Sequence, residues 1–87
     1  MRRATDSAVR AILWHNVLLL MVARYGGEHL TRFAADCKVS PATAARIKEQ
    51  RTSVGIDMLE TIAREFRVQP WELLRPPGDR HRRDDVN

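Results

Sequence analysis

The pattern that decides the fold lies in residues 30–47, LTRFAADCKVSPATAARI. In its first half, apolar residues recur at the spacing i, i+3, i+4 and i+7, which is one face of a short helix: Leu30, Phe33, Ala34 and Cys37. Ser40 then offers an N-cap for a second helix, and Pro41 at the first position of that helix loses no hydrogen bond. Ala44 and Ile47 give the second helix an apolar face of its own.

The connection between the two helices is short, because only Lys38 and Val39 separate the apolar stripe from the cap. Two helices joined so tightly must cross steeply, as in a helix-turn-helix, whose second helix is presented to the major groove of DNA. An ordinary pair of core helices has the same local pattern. This stretch alone therefore leaves DNA binding and simple packing as alternatives.

The length of the chain, 87 residues, provides enough core for one small domain. We predict a single domain at residues 1–74, with an N-terminal helical extension at 4–15 and a core at 16–74. The mixed charges after the last apolar residues predict a disordered tail at 75–87.

Several classes of protein are excluded or disfavoured by the composition. Cys37 is the single cysteine and lies on an apolar stripe, so we expect a buried thiol in a reduced, cytoplasmic protein. His15, His29 and His81 are too scattered to predict a metal site. The apolar run 17–23 is too short to span a bilayer. No cofactor and no small-molecule substrate is indicated, and no acid–base pair or nucleophile predicts an enzyme.

Positive charge is concentrated in one segment. The whole chain carries +4, and residues 38–51 alone carry +3, from one acidic residue and four basic ones: Glu49, Lys38, Arg46, Lys48 and Arg51. Residues 52–74 carry −2. The excess therefore coincides with the predicted second helix and its flanking turns, a distribution that the phosphate backbone of a duplex would attract. A solvated helix face is the alternative interpretation.

Helical patterns extend over most of the chain, and no stretch has the alternation of a β-strand. We expect four helices and a short final helix, at about 7–25, 29–37, 41–50, 56–66 and from Pro70 onward. Gly26 and Gly27 end the first helix, and Asn16 is a candidate for a break within it.

In this order of elements, residues 16–74 resemble the Cro/C1-type (XRE family) helix-turn-helix domain of phage repressors, bacterial regulators and antitoxins. A series of residues carries the resemblance: Asn16, Val17, Leu20, Met21, Phe33, Ala34, Val39, Ser40, Ile47, Ile56, Leu59, Ile62, Ala63, Phe66, Val68 and Leu73. It implies an all-α, lambda-repressor-like bundle of five helices, here with an extended first helix.

The chain departs from that family's pattern at several positions. Lys38 and Arg67 stand where the family usually has glycine. A lysine in the turn must adopt a left-handed backbone or shift the turn, at a cost of ~1 kcal/mol or more. The family often pairs a glutamate late in the recognition helix with an arginine on the first helix. Here those positions hold Lys48 and the neighbourhood of Val22, so we expect that ion pair to be absent.

The resemblance makes the helix at about 41–50 the recognition helix. At about 100° per residue, its side opposite the apolar face is mostly methyl groups, with Arg46 as a bidentate donor to guanine or a phosphate contact. Glu49 on the same side repels phosphate. The residues expected to contact DNA are Lys38, Ser40, Ala42, Thr43, Ala45, Arg46, Lys48 and Arg51.

The first helix predicts self-association. Every residue from 17 to 23 is apolar, and a helix that is apolar on all sides must be buried on more than one. If Leu13 and Leu20 face the core, Leu18 and Val22 point outward. The expected homodimer interface is Trp14, Leu18, Leu19 and Val22. Alternatively, residues 4–14 fold back and cover the stripe within the monomer.

The sequence therefore predicts a homodimeric, sequence-specific DNA-binding regulator of transcription, of the repressor type. One alternative is a protein-interaction module that keeps the fold without specific DNA binding, which Glu49 favours. The other is an antitoxin, although the tail after Leu74 has only Val86 as an aliphatic anchor.

Overall fold

The computed structural model describes residues 8–76, and every regular element within that range is helical. The elements are α1 Ala8–Tyr25, α2 Leu30–Cys37, α3 Pro41–Lys48 and α4 Ile56–Phe66, followed by a 3₁₀ helix at Pro70–Leu74. The predicted all-α class is confirmed, and α3 ends two residues earlier than expected. Residues 1–7 of the predicted domain and residues 77–87 of the predicted disordered tail lie outside the described residues.

One stripe of α1 forms part of a core to which every element contributes. Leu13, Val17 and Met21 are spaced one turn apart and are buried. They cluster with buried residues of the other four elements: Phe33, Ala34, Cys37, Ala44, Ile47, Ile62, Ala63, Phe66 and Leu73. The rings of Phe33 and Phe66 stack with centroids 6.2 Å apart and join α2 to α4. Burial of each large side chain contributes about 1.5–3 kcal/mol.

The side chain of Asn16 connects α1 to the end of the described chain. Its Nδ2 donates to the carbonyl oxygens of Leu73 at 2.8 Å, Arg75 at 3.0 Å and Glu72 at 3.3 Å. Carbonyl groups at the end of a helix have no partner in a following turn, and here a side chain satisfies them. Asn16 therefore holds the 3₁₀ helix against α1. The predicted break at this residue is wrong, because α1 continues through it.

Within residues 8–76, three residues with side chains adopt the left-handed backbone that glycine usually supplies: Lys38 with φ 59°, Gln50 with φ 60° and Arg67 with φ 61°. Lys38 and Arg67 directly follow α2 and α4, and their backbone N–H groups donate to the last turn of each helix. Lys38 therefore takes the first of its two options and keeps the turn in place. The strain is about 1–2 kcal/mol per residue.

By length and composition alone, α1 is long and apolar enough to cross a membrane. The apolar run at 17–23, judged too short to span a bilayer, is only part of this longer helix. In the structure one stripe of this helix, 17% of its residues, is buried inside the domain. Val17 and Met21 are fully buried. Arg24 Nη1 lies 2.9 Å from Glu65 Oε2 of α4, and its guanidinium carbon lies 4.5 Å from the centroid of the Phe66 ring. The core helix of a folded domain passes the same test of length and composition.

Replacing Arg67 by glycine should stabilise the protein. Arg67 is exposed, and glycine adopts its backbone without strain. We expect a gain of about 0.5–1 kcal/mol, which is the relieved strain less the larger entropy of the unfolded glycine chain. Arg64→Gly, inside α4, is the control and should lose about 1 kcal/mol. Urea unfolding followed by circular dichroism measures both, and equal losses would contradict the prediction.

Candidate nucleic-acid interface

The helix α3 buries one side and exposes the other, as its sequence predicted. Ala44 and Ile47 are buried against the rest of the domain. Ala42 and Arg46 are exposed, and Ala45 is half-buried. The side chains on the open side of the helix are therefore mostly short, because alanine methyl groups flank one long cationic side chain. Such a surface allows another macromolecule to approach the helix backbone closely.

The first turn of α3 is held by two hydroxyl groups. The backbone N–H of Thr43 donates to Ser40 Oγ at 3.0 Å, which confirms Ser40 as the N-cap. Ser40 Oγ in turn donates to Thr43 Oγ1 at 2.9 Å. The hydroxyl hydrogen of Thr43 is then available to an outside acceptor, beside the positive end of the helix dipole. This end of α3 is suited to an anionic oxygen.

Lys48 at the end of α3 has an ionic partner that its sequence position did not indicate. Its Nζ lies 2.6 Å from Oε2 of Glu28, in the connection between α1 and α2. The ion pair usual in the Cro/C1-type family was expected to be absent, and this pair joins α3 to a different part of the chain. Both side chains remain partly exposed, so the pair contributes little to stability and can open.

The other three cations near α3 differ in their surroundings. Arg51 Nε lies 3.3 Å from Glu49 Oε1, so each reduces the effective charge of the other. This proximity weakens the repulsion that Glu49 would exert on a phosphate. Arg46 and Lys38 are exposed, and neither side chain has an ion pair or hydrogen bond within residues 8–76. These two are the cations most readily available to an anionic partner.

A shallow groove separates α3 from the beginning of α2. Its walls are Leu30 and Thr31 on one side and four residues of α3 and its C-cap on the other: Pro41, Ala45, Lys48 and Glu49. The predicted contact residues therefore do not form one uniform basic face. Ser40, Ala42, Thr43 and Arg46 share the N-terminal and outer side of α3, whereas Lys48 is held at the groove by Glu28.

The residues predicted to form a homodimer interface divide into two pairs. Leu19 and Val22 are 51% and 47% exposed. Trp14 and Leu18 are partly buried and pack against the core. The expectation that Leu18 points outward is wrong, because the buried stripe is centred on Val17. At about 100° per residue, Leu19 lies on the side of the helix opposite Val17 and faces away from the core. Leu18 lies at the edge of the buried stripe.

A cleft of about 340 Å³ lies beside Leu19, between α1 and the 3₁₀ helix. Its apolar lining comes from Leu20, Val68 and Leu73, and the Asn16 side chain lies at its base among the carbonyls that it binds. The exposed half of α1 therefore continues into a concave apolar surface.

The thiol of buried Cys37 and the phenol of half-buried Tyr25 are held in their neutral forms. Burial is the main cause that raises the pKa of the Cys37 thiol to about 12, so it is protonated and unreactive at neutral pH. Burial and then the 2.6 Å hydrogen bond that Tyr25 donates to Asp36 raise the pKa of that phenol to about 12. Within residues 8–76 no three His, Cys, Asp or Glu side chains are grouped to hold a metal ion.

No known protein family and no curated protein matches this sequence. A solved structure shares the fold. It is the crystal structure of a hypothetical transcription factor, NHTF, from Neisseria. The two folds agree with a TM-score of 0.76 over 88% of this chain and 86% of that chain, at 23% sequence identity. The likeness establishes the fold of this chain, and the Cro/C1-type family resemblance stays a prediction from its residues.

Replacing Glu28 by glutamine should free Lys48. If this surface binds DNA, a released lysine adds one phosphate-neutralising group, so the log–log salt slope of binding should steepen by about 0.9 per domain. Glu65→Gln is the matched control, because it removes the acid of the ion pair between α1 and α4 with the same change in charge. Fluorescence anisotropy on one duplex measures both variants. An equal change in the two slopes would show that net charge alone is responsible.

Proposed function

We propose that this protein binds duplex DNA sequence-specifically as a homodimer and regulates transcription as a repressor-type protein of the cytoplasm. The recognition helix is α3, which enters the major groove. The observation that carries the proposal is the open side of α3, where exposed Arg46 stands among alanines and has no ionic partner in residues 8–76.

The chemistry of this side matches the edge of a base pair. Ala42 and Ala45 let the helix backbone approach the bases, and their methyl groups can contact the methyl group of thymine. Arg46 is long enough to donate two hydrogen bonds to O6 and N7 of guanine, which is the commonest specific contact to a base. One arginine specifies few base pairs, so a single domain should discriminate only weakly between DNA sequences.

The phosphate contacts come from the two ends of α3. The Thr43 hydroxyl lies at the capped N-terminus, where the helix dipole favours an anion. Lys38 in the turn before α3 and Arg51 after it extend the contact along the backbone, and Lys48 joins them when its pair with Glu28 opens. Contacts of this kind fix the position of the protein on the duplex and carry no sequence information.

The fold supports the proposal independently of these side chains. A neighbour of known structure is described as a hypothetical transcription factor. The residue series implies a five-helix, lambda-repressor-like bundle, and the all-helical architecture of residues 8–76 is compatible with that class. We assign the chain to that class of helix-turn-helix protein as part of this proposal.

Dimerisation compensates for the thin readout, because two linked domains read two half-sites one helical turn apart. Leu19 and Val22 form the centre of the proposed interface, since both are exposed on α1 and Leu19 also lines the apolar cleft. Trp14 and Leu18 pack on the core and contribute at most their outer edges.

An interaction module that binds no specific DNA is the competing function. It is favoured by the pairing of Lys48 with Glu28 and of Arg51 with Glu49, which reduces the positive charge around α3. The antitoxin alternative depends on the tail, which lies outside the described residues after residue 76. A titration on a pool of random duplexes, with sequencing of the bound fraction, separates these functions. Absence of binding to any duplex at about 50 mM salt would overturn the proposal in favour of the module.

Replacing Arg46 by alanine should cost about 1–3 kcal/mol on the preferred site and relax the base preference there. Arg51→Ala removes the same charge from the loop and should weaken binding to all sequences about equally. Affinities on the preferred duplex and on a scrambled one distinguish the two effects. An unchanged sequence preference in Arg46→Ala would remove Arg46 from base recognition.

Replacing Leu19 by glutamate should separate the dimer without unfolding the domain. Burial of an unpaired carboxylate costs several kcal/mol, enough to dissociate a dimer of micromolar affinity. Sedimentation should show half the wild-type mass with unchanged helical circular dichroism. Leu18→Glu is the comparison, and it should lose thermal stability because Leu18 packs on the core. A wild-type protein that is monomeric at about 100 µM would contradict this interface.

A further inference from the structure

The outward side of α1 carries no charged residue. The charged residues of this helix are Arg10 and Arg24, and both lie toward the domain. Arg10 lines a cleft together with Leu13, and Arg24 forms an ion pair with Glu65 of α4. A helix on the surface of a soluble domain usually turns its charges to solvent. In α1 the arrangement is reversed, so its outward side lacks the groups that hydrate such a surface.

The outward residues of α1 are spaced as in a coiled coil. They recur four and three residues apart in alternation, and at about 100° per residue they lie directly opposite the buried stripe centred on Val17. All of them are exposed or half-buried, and we call them the outer seam: Ala8, Ile12, His15, Leu19 and Val22. This repeat packs the side chains of one helix into the gaps of another, so the outer seam fits a second helix.

A second copy of α1 is the occupant that suits the chemistry of the seam. An uncharged seam can face itself across a two-fold axis without repulsion between like charges. His15 and Leu19 also line the cleft of about 340 Å³ beside the 3₁₀ helix, so the seam continues into a hollow that a partner's side chain can enter. From Ala8 to Val22 the seam is about 21 Å long, so the pairing is short and sensitive to one buried charge.

His15 places a titratable ring within this seam. Histidine changes its charge between pH 5 and 8. An apolar partner can cover the neutral imidazole, whereas the imidazolium would lose its hydration there. Glu72 and Arg75 of the 3₁₀ helix line the same cleft, and their opposite charges lie 3.8 Å apart, so neither acts alone on the imidazole. The paired state therefore binds fewer protons than the separated subunits, and pairing weakens as the pH falls.

We propose that α1 pairs with α1 of a second copy along the outer seam, and that protonation of His15 separates the two subunits. This inference rests on the homodimer of the proposed function and adds the extent of its interface and its control by pH. As the pH falls, the protein loses the linked second domain and with it the preference for a duplex that carries two half-sites.

The test fixes the charge of residue 15 in two variants of the full chain. His15 is exposed, so neither change disturbs the core. His15→Gln is neutral at every pH, and His15→Lys is positively charged throughout the range tested. His29→Lys is the matched control, because His29 is also exposed but lies between α1 and α2. Sedimentation equilibrium at about pH 7.5 and about pH 5.5 measures the dissociation constant of the dimer, and circular dichroism verifies that each variant is folded.

The dissociation constant of the wild type should rise by roughly tenfold or more at the lower pH, since each subunit contributes one imidazole. His15→Gln should remain dimeric at both pH values, His15→Lys should be monomeric at both, and His29→Lys should behave as the wild type does. A wild-type dimer that ignores pH, pH dependence retained in His15→Gln, or a dimeric His15→Lys would overturn this inference and leave the homodimer and α3 untouched. A wild type that is monomeric at about 100 µM and neutral pH would overturn the homodimer as well.

Discussion

The burial of one stripe of α1 is the interaction on which the rest of this domain depends. Val17 and Met21 have no exposed surface, and Leu13 continues the same stripe. The other elements are too short to be stable alone, because helices of eight to eleven residues are marginal in water. They are held by contributing buried side chains to the cluster that contains this stripe. Asn16 extends the attachment to the 3₁₀ helix through hydrogen bonds rather than apolar contact.

The orientation of α3 follows from this core and from one strained turn. Ala44 and Ile47 are buried, so the opposite side of α3 must face solvent. Lys38 holds the turn in a left-handed backbone, and the N–H of Val39 donates to Ala34 O at 3.0 Å. The strain persists because the burial of the two flanking helices outweighs it. The position of the candidate recognition surface is therefore set by packing on its hidden side.

The electrostatics of the surface distinguish two kinds of cation. Arg46 and Lys38 have no ionic partner in the part of the chain that the structure describes, whereas Lys48 and Arg51 each lie near a carboxylate. Exposed ion pairs of this kind contribute about 0–1 kcal/mol. They would therefore change the affinity of the surface for an anionic partner without preventing the contact. In the function proposed above, these two kinds of cation would supply affinity for the phosphate backbone, and the symmetry of a dimer would supply specificity.

The sequence by itself determined the local features of this protein. The helices, the Ser40 cap and the buried side of α3 follow from residues within one or two turns of each other, and such short-range patterns are legible without a structure. The left-handed backbone at Lys38 was one of the two conformations predicted for that turn. Nothing in the sequence indicated the left-handed backbone at Gln50. The partners of Asn16 are 56 to 59 residues away and the partner of Lys48 is 20 residues away, so no spacing rule indicates them. The rotation of α1 was also misjudged, because a helix that is apolar all round has no preferred face until the other elements pack against it. Only the tertiary structure could decide which leucine of α1 is exposed, since long-range packing selects one face among several of similar hydrophobicity.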